Sequence, residues 1–297
     1  MASVQDIKRR IRSVRNTRKI TKAMELVAAA KLRRAQARIE AMRPYAQRMQ
    51  ELMVGTARAS ASVSGLPLLQ RREVGTAAIL PLTGDRGLAG AFNAQILREA
   101  FAADRRFRDD GVEPRWLVAG KKGASTLRFR RYDVLQAWSG FSDKPQYRDA
   151  QAIAHRLAEL YAEQEVDQVV VIYNHFESAL TQRVVVQEVL PIPESLLEEG
   201  SEEEEGAQAL LGDFIYEPEP EQILERLLPV YLETELYRAL LESAASEQGA
   251  RMTAMRNASK NAGELIDSLT LQMNRARQAE ITQEILEVVA GADALTA

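Results

Sequence analysis

The sequence contains no cysteine, which excludes disulfides, thiolate metal ligands and thiol redox control. Histidine is almost as scarce, and His155 and His175 alone speak against a zinc or haem centre. No run of about 18 apolar residues occurs, the number a spanning helix needs. The longest apolar stretches are short, such as Val169-Val170-Val171-Ile172, so any membrane association is expected to be indirect. Neither a charged-then-apolar signal segment nor an Arg/Ser-rich transit segment stands ahead of the first helical pattern, and the expectation is a chain that starts in the cytoplasm. Basic residues are missing from 194–225, a stretch with twelve acids that include the run Glu202 to Glu205. With no metal or cofactor motif in view, none is expected.

What is present is segregated. The net charge of −3 over 297 residues hides thirteen Lys and Arg in residues 1–43 against three acids, Asp6, Glu25 and Glu40. Such an arm suits a polyanion or an acidic protein partner. The acidic stretch reads as a solvated loop.

The basic arm is also periodic. From Val4, residues Ile7, Ile11, Val14, Ile20, Met24, Val27, Ala35, Ile39, Met42, Ala46, Met49 and Met53 recur in steps of three and four, and Thr17 and Lys31 fill the gaps. The mean step is about 3.5 residues, the value of a coiled-coil seam. Pro44 removes one backbone donor and predicts a bend, not an end. The partner comes from the other terminus. From Glu221 onward nearly every residue is a good helix former, and Met252, Met255, Ser259, Ala262, Ile266, Leu269, Met273 and Ala276 alternate strictly between steps of three and four. Ala, Ser and Met allow close approach but bury less than Leu, so this seam is thin.

Between the arms, residues 76–83, 115–119, 132–138, 168–174 and 183–190 read as strands, alternating with helical stretches near 91–104, 121–129 and 148–165. That alternation is the signature of βαβ units. The fold class expected is therefore α/β: a long antiparallel coiled coil of N- and C-terminal helices plus a Rossmann-like domain with a mainly parallel sheet. The divisions read as 1–58 for the first helix, 74–191 for the α/β domain, 192–220 for an acidic, Pro-containing loop and 221–292 for the last helix. Gly55 to Gly65 reads as a hinge.

One loop invites a chemical reading. Gly84-Asp85-Arg86-Gly87-Leu88-Ala89-Gly90 follows the first strand and precedes a helix, where phosphate loops sit, but it has neither the Walker nor the dinucleotide spacing. A glycine-rich turn that buries Leu88 and caps the next helix is the expectation. Lys121-Lys122-Gly123 reads as a surface turn, and His175 has no nucleophile motif beside it. No catalytic residue is expected.

Four segments carry a specific resemblance: Asn16 to Lys31 (NTRKITKAMELVAAAK), Asp85 to Asn93 (DRGLAGAFN), Ser246 to Ala258 (SEQGARMTAMRNA) and Arg277 to Ala292 (RQAEITQEILEVVAGA). In this order, over nearly the whole chain, they resemble the gamma subunit of F-type ATP synthase, of bacterial type. The most specific part is Ile281-Thr282-x-Glu284-x-x-Glu287-x-x-x-Gly291-Ala292. Ala89 stands where many relatives have cysteine, and Gln248 where many have histidine.

The resemblance implies a central-stalk rotor, one copy per complex, that transmits rotation of the c-subunit ring to the catalytic hexamer of three alpha and three beta subunits and so couples proton flow to ATP synthesis. Chemistry would reside in the beta subunits. It implies rotor–stator contacts at Lys19, Lys22 and Met24 on the first helix and at Arg275, Arg277, Gln278 and Thr282 on the last. Val288, Val289 and Ala292 would form an apolar bearing tip, and Tyr216, Glu217 and Glu219 would face the c ring and the epsilon subunit. The place implied is the cytoplasmic face of the bacterial inner membrane, held peripherally without direct insertion.

Two other classes compete. A basic coiled-coil nucleic-acid-binding protein would use the same arm on phosphates, yet the basic residues are spread around the helix and the last helix is not comparably basic. A small α/β enzyme would need a ligand for residues 74–191.

Overall fold

A computed structural model describes residues 3–60, 65–178, 181–193 and 218–296, with side chains up to Gly291. Tyr216, Glu217 and the run Glu202 to Glu205 lie outside the described residues, as does the side chain of Ala292. The chain divides into two compact units, Met1–Ala29 with Arg251–Ala297, and Ala30–Ala250.

Long helices occupy the two ends of the sequence: α1, Val4–Ala59, and the last helix, Pro220–Thr296. Pro44 and Pro229 stand inside them, each forfeiting one backbone donor without ending its helix. Gly55, read above as part of a hinge, is inside α1, which runs on to Ala59.

The larger unit is built on a five-stranded sheet. In chain order its elements are β1 (Thr76–Pro81), α2 (Phe92–Asp109), β2 (Glu113–Ala119), α3 (Lys121–Phe129), β3 (Val134–Trp138), α4 (Tyr147–Ala162), β4 (Gln168–Phe176) and β5 (Gln182–Leu190); the last helix is α5. The strand order is β3-β2-β1-β4-β5, with β5 antiparallel to β4 and every other pairing parallel.

Strict alternation divides the central strands between two cores, as a sheet covered on both faces requires. Leu80, Leu117, Val169, Val171 and Tyr173 face α4, Met49 and Met53 of α1, and Leu228, Leu232 and Leu236 of α5. Ile79, Trp116, Val118, Val170 and Ile172 face Phe92, Ile96, Ala100 and Phe101 of α2 and Leu127 of α3.

The segment before β1 is tied down by an arginine–carboxylate clamp. Arg72 donates to Asp167 (2.6 Å) and to the carbonyls of Tyr161 and Val166, while the other Asp167 oxygen accepts the N–H groups of Gly75 and Thr76. Burial works to raise the Asp167 pKa, but these donors outweigh it and hold the carboxyl below its ordinary value.

At the carboxyl ends of the strands, doubly wound sheets open a crevice that holds ligands. Here α5 fills it. Ser243 donates to the Leu82 carbonyl (3.3 Å) and Ser246 to that of Asn174 (3.1 Å). Gly84 lies so close to α5 that a methyl on it would come within 2.9 Å of the Glu247 carboxylate. The amino end of α3, the place for a bound anion, is taken by Asp85, whose carboxylate accepts the Lys121 N–H (3.0 Å).

Two local expectations change. Leu88 is not buried but 65% exposed at φ 63°, and the loop is closed by Asn93, which accepts the Gly84 N–H (2.8 Å). Lys121-Lys122-Gly123 is at the surface, with both lysines exposed, but as the first turn of α3 and not as a free-standing turn.

Gly120, at φ 99°, precedes that turn, and a Cβ there would sit 2.0 Å from the Thr83 carbonyl oxygen. Positive φ and backbone collision together predict that Gly120→Ala destabilises the chain by about 3 kcal/mol or more. Denaturant unfolding of the full chain measures this; a loss no larger than that of Gly111→Ala, which shares the positive φ in open space, contradicts the account.

Candidate functional site

The smaller unit consists of the beginning of α1 and the rest of α5. Ile7 and Ile11 pack with Ile266 and Leu269, flanked by Val14, Met273 and Ala276. The α5 seam follows the sequence pattern, with Met255, Ala262, Ile266 and Leu269 buried and Met252, Ser259, Met273 and Ala276 half-buried.

The α1 seam departs from its apolar pattern. The inward positions are Val4, Ile7, Ile11, Val14, Thr21, Glu25, Ala28 and Leu32, a strict alternation of three and four once Arg18 is included. Thr17, Ile20 and Val27, assigned inward above, point out, with Ile20 60% and Val27 55% exposed. Continuing the heptad from Val14 to Ala35 keeps the seam on one line, and a residue of register outweighs the burial of two side chains.

The inward polar residues are bonded in pairs. Thr21 shares a hydroxyl hydrogen bond with Ser259 (2.7 Å). Glu25 accepts from Lys22 (3.0 Å) and, across the seam, from Arg256 (3.1 Å). Lys22 and Arg256 hold its carboxyl below the ordinary carboxylate value, against the opposing effect of burial. Beside them Arg18 lies over Gly263, where a Cβ would be 3.7 Å from the guanidinium carbon.

The outward face carries large apolar side chains among its charged ones. Ile20, Leu26 and Val27 on α1, and Leu265, Leu271, Ile281, Ile285, Leu286, Val288 and Val289 on α5, are all exposed. From Arg277 to Gly291 no side chain is buried. A single helix that buries nothing is marginal in water, and apolar surface on this scale marks a protein contact.

The residues proposed from the sequence stand as follows. Lys19 and Lys22 are exposed and Met24 is half-buried. Arg275, Arg277, Gln278 and Thr282 are exposed on α5, with the Thr282 hydroxyl bonded back to the Gln278 carbonyl (2.9 Å). Val288 and Val289 are exposed, and Glu219 is exposed at the start of α5, its carbonyl accepting the Gln222 and Ile223 N–H groups. Of the polar layer, Ser259 already stood in the seam read from the sequence, while Thr21, Glu25 and Arg256 escaped sequence reasoning. The signal was the heptad itself, which reaches Thr21 and Glu25 if carried strictly onward from Val14.

Comparison with known proteins fits this architecture. The family model described as ATP synthase matches residues 3–295, which places the chain in the ATP synthase class. Among curated relatives, the ATP synthase gamma chain of Rubrobacter xylanophilus is 48% identical over 298 residues, covering all of both chains. That of Moorella thermoacetica is 46% identical over 99% of this chain and all of its own. The chain belongs to the ATP synthase gamma-chain family. Among solved structures, the central stalk/c-ring of Tetrahymena thermophila mitochondrial ATP synthase contains a chain 30% identical, covering 81% of this chain and 99% of that one with a TM-score of 0.59. A chain of the Euglena gracilis mitochondrial ATP synthase rotor, 17% identical, shares the fold over 94% and 98% with a TM-score of 0.64.

The polar layer yields a signed prediction. Because the Glu25 pKa is lowered on folding, its contribution is present above the ordinary carboxylate value, about 4.3, and disappears as pH falls through the lower folded value. Glu25→Gln is expected to cost about 1 kcal/mol at pH 7, a figure reduced by the exposure of Lys22 and Arg256. Urea unfolding at pH 7 and pH 3 should show the gap closing at low pH; an equal gap at both removes the ion pair as its cause.

Proposed function

We propose that this chain is the central-stalk rotor of a bacterial ATP synthase, transmitting rotation of the c-subunit ring to the alpha and beta subunits and so coupling proton flow to ATP synthesis. In this reading residues 1–58 and 221–292 form the turning shaft, 74–191 the foot domain and 192–220 an acidic, Pro-containing loop. One copy serves each complex. Among the described residues no helix is long and apolar enough to cross a membrane, consistent with a peripheral subunit; the cytoplasmic face of the inner membrane is the place assigned to it in this reading.

One observation carries the mechanical part of the reading: the helical unit admits a polar layer, Thr21, Glu25 and Ser259, into its apolar seam while leaving apolar and cationic residues on its outside. A rotor must bias three chemically equivalent sites differently at one instant, which an asymmetric helix pair does by presenting a different face to each. Arg275 and Arg277 are suited to a contact made and broken at each step, since a guanidinium offers a fixed fork of donors to a carboxylate. Lys19, Lys22, Met24, Gln278 and Thr282 would join them against the beta subunits. Val288, Val289 and Ala292 would turn as a bearing in which no directional bond resists motion.

No catalytic role is assigned to this chain. The crevice where an α/β enzyme would bind its substrate is occupied by α5, and the helix end beside it by Asp85. Tyr216, Glu217 and Glu219 are assigned to the contact with the c ring and epsilon.

Mixing the chain with alpha and beta subunits is expected to give a complex that hydrolyses ATP and turns a bead fixed to the α/β unit. Failure to assemble or turn defeats the reading. Within it, Arg277→Ala should lower ATP hydrolysis of the complex about fivefold, on the order of 1 kcal/mol, and Arg128→Ala, in the foot, should not. Equal effects would remove Arg277 from the contact.

A further inference from the structure

The loop between β3 and α4 is held from one side and holds from the other. On the sheet side, Asp85 ties it to α3: Oδ2 accepts the loop N–H groups of Gly140 (2.8 Å) and Ser142 (3.2 Å), while Oδ1 accepts that of Lys121 at the start of α3. The Ser142 hydroxyl in turn accepts the Asp85 N–H (2.9 Å). A carboxylate satisfied by three backbone donors is rigid, and the loop inherits that rigidity.

The next residue, Asp143, reaches the other way. Its Oδ2 pairs with the Lys31 ammonium on α1, and its Oδ1 accepts from the Gln248 amide on α5 (2.7 Å). These two partners stand one and two residues inside Ala30 and Ala250, the limits at which both helices leave the α/β unit. Gln248 is buried, and among the described residues its amide oxygen has no hydrogen-bond partner. A buried amide with one end unpaired carries a desolvation cost, which the Asp143 bond must offset by holding the side chain in place.

We infer that Asp143 is a positioning residue for torque: the clamp through which turning force passes between the sheet and both terminal helices where they leave the α/β unit. This rests on the rotor reading and specifies its mechanics. Apolar packing holds α1 against the sheet, and on α5 the Ser243 and Ser246 hydroxyls add bonds to two strand ends; the apolar part is non-directional and resists sliding weakly. Hydrogen bonds are directional and do resist it. One carboxylate with an oxygen on each helix, mounted on a loop that Asp85 ties to the start of α3, couples both helices to the same point. Neither can rotate past the sheet without breaking a bond.

The test uses the complex reassembled with alpha and beta subunits, held stationary by a non-hydrolysable nucleotide, with a bead on Arg105→Cys. The natural sequence has no cysteine, so the introduced one is unique in the variant. The readout is the bead's angular variance. Asp143→Ala is expected to raise it by about twofold, as for a restraint lost from a local, low-stability region, with ATP-driven rotation still present. Exchanging the charges with Lys31→Asp, Asp143→Lys and Gln248→Glu together should restore the parent value, which a purely structural defect would not. If Asp143→Ala does not fold, Asp143→Asn takes its place with the same expectation. In the purified chain, amide exchange across 140–146 should quicken about tenfold. Unchanged variance in the alanine variant, or a folded exchange variant that stays loose, overturns the clamp while leaving the rotor reading intact. A parent complex that never rotates overturns both.

Discussion

Everything in this chain depends on one stripe along α1. A helix of 56 residues cannot be stable on propensity and must bury a continuous line of side chains. The line runs in steps of three and four from Val4 to Met53, and it is used twice. In the helical unit Ile7 and Ile11 meet Ile266 and Leu269; in the α/β unit Met49 and Met53 enter the core beneath the sheet. α5 makes the same double use, with Leu228, Leu232 and Leu236 in that core and Ala262, Ile266 and Leu269 in the seam. A constant heptad phase lets one helix serve both surroundings without a break.

Phase constancy also explains where sequence reasoning failed. Following apolar residues alone led from Val14 to Ile20, Met24 and Val27, because hydrophobicity is ordinarily the better guide to the inside. In the structure the geometry of the supercoil decides, and it places Thr21 and Glu25 inward. The cost is met by partners on the facing helix, Ser259 and Arg256. A buried charge with good partners contributes little net stability but does fix register. Ile20 and Val27 then remain outside, available to whatever surrounds the helix pair. A polar layer within an otherwise apolar seam, with Ile20 and Val27 outside, is a poor design for an isolated coiled coil and accords with the rotor reading proposed above.

The α/β unit was more legible because its signals are local. Alternation and β-branched runs mark β1, β2 and β4, and the glycine-bearing segments between them mark the turns. What could not be read was which side chains of a turn do the work. In Gly84 to Gly90 the conspicuous apolar residue, Leu88, is exposed, while Asp85 organises Lys121, Gly140 and Ser142 over long sequence separations. No window of sequence contains that set. Asp143 is a similar case, because its partners lie more than a hundred residues away on either side. Carboxylates bonded mainly to backbone N–H groups and distant side chains leave no periodic trace.

A doubly wound sheet ordinarily offers its carboxyl edge to a ligand. Here that edge receives α5, and the groups that elsewhere would face a ligand bind the chain itself: the α3 amino end holds Asp85, the turn at Gly84 admits Glu247, and the carbonyls of Leu82 and Asn174 accept serine hydroxyls. The exchange has a mechanical result. A ligand site needs openness and some freedom to close, whereas a crevice filled by a continuous helix is rigid and directional. Ser243, Ser246 and Gln248 lie on one stretch of α5 just before Ala250, so the part of the helix that closes the crevice is itself held by three polar side chains. The fold has thus turned a place for binding into a socket, and the socket's stiffness comes from the polar groups that a binding site would have kept for its substrate.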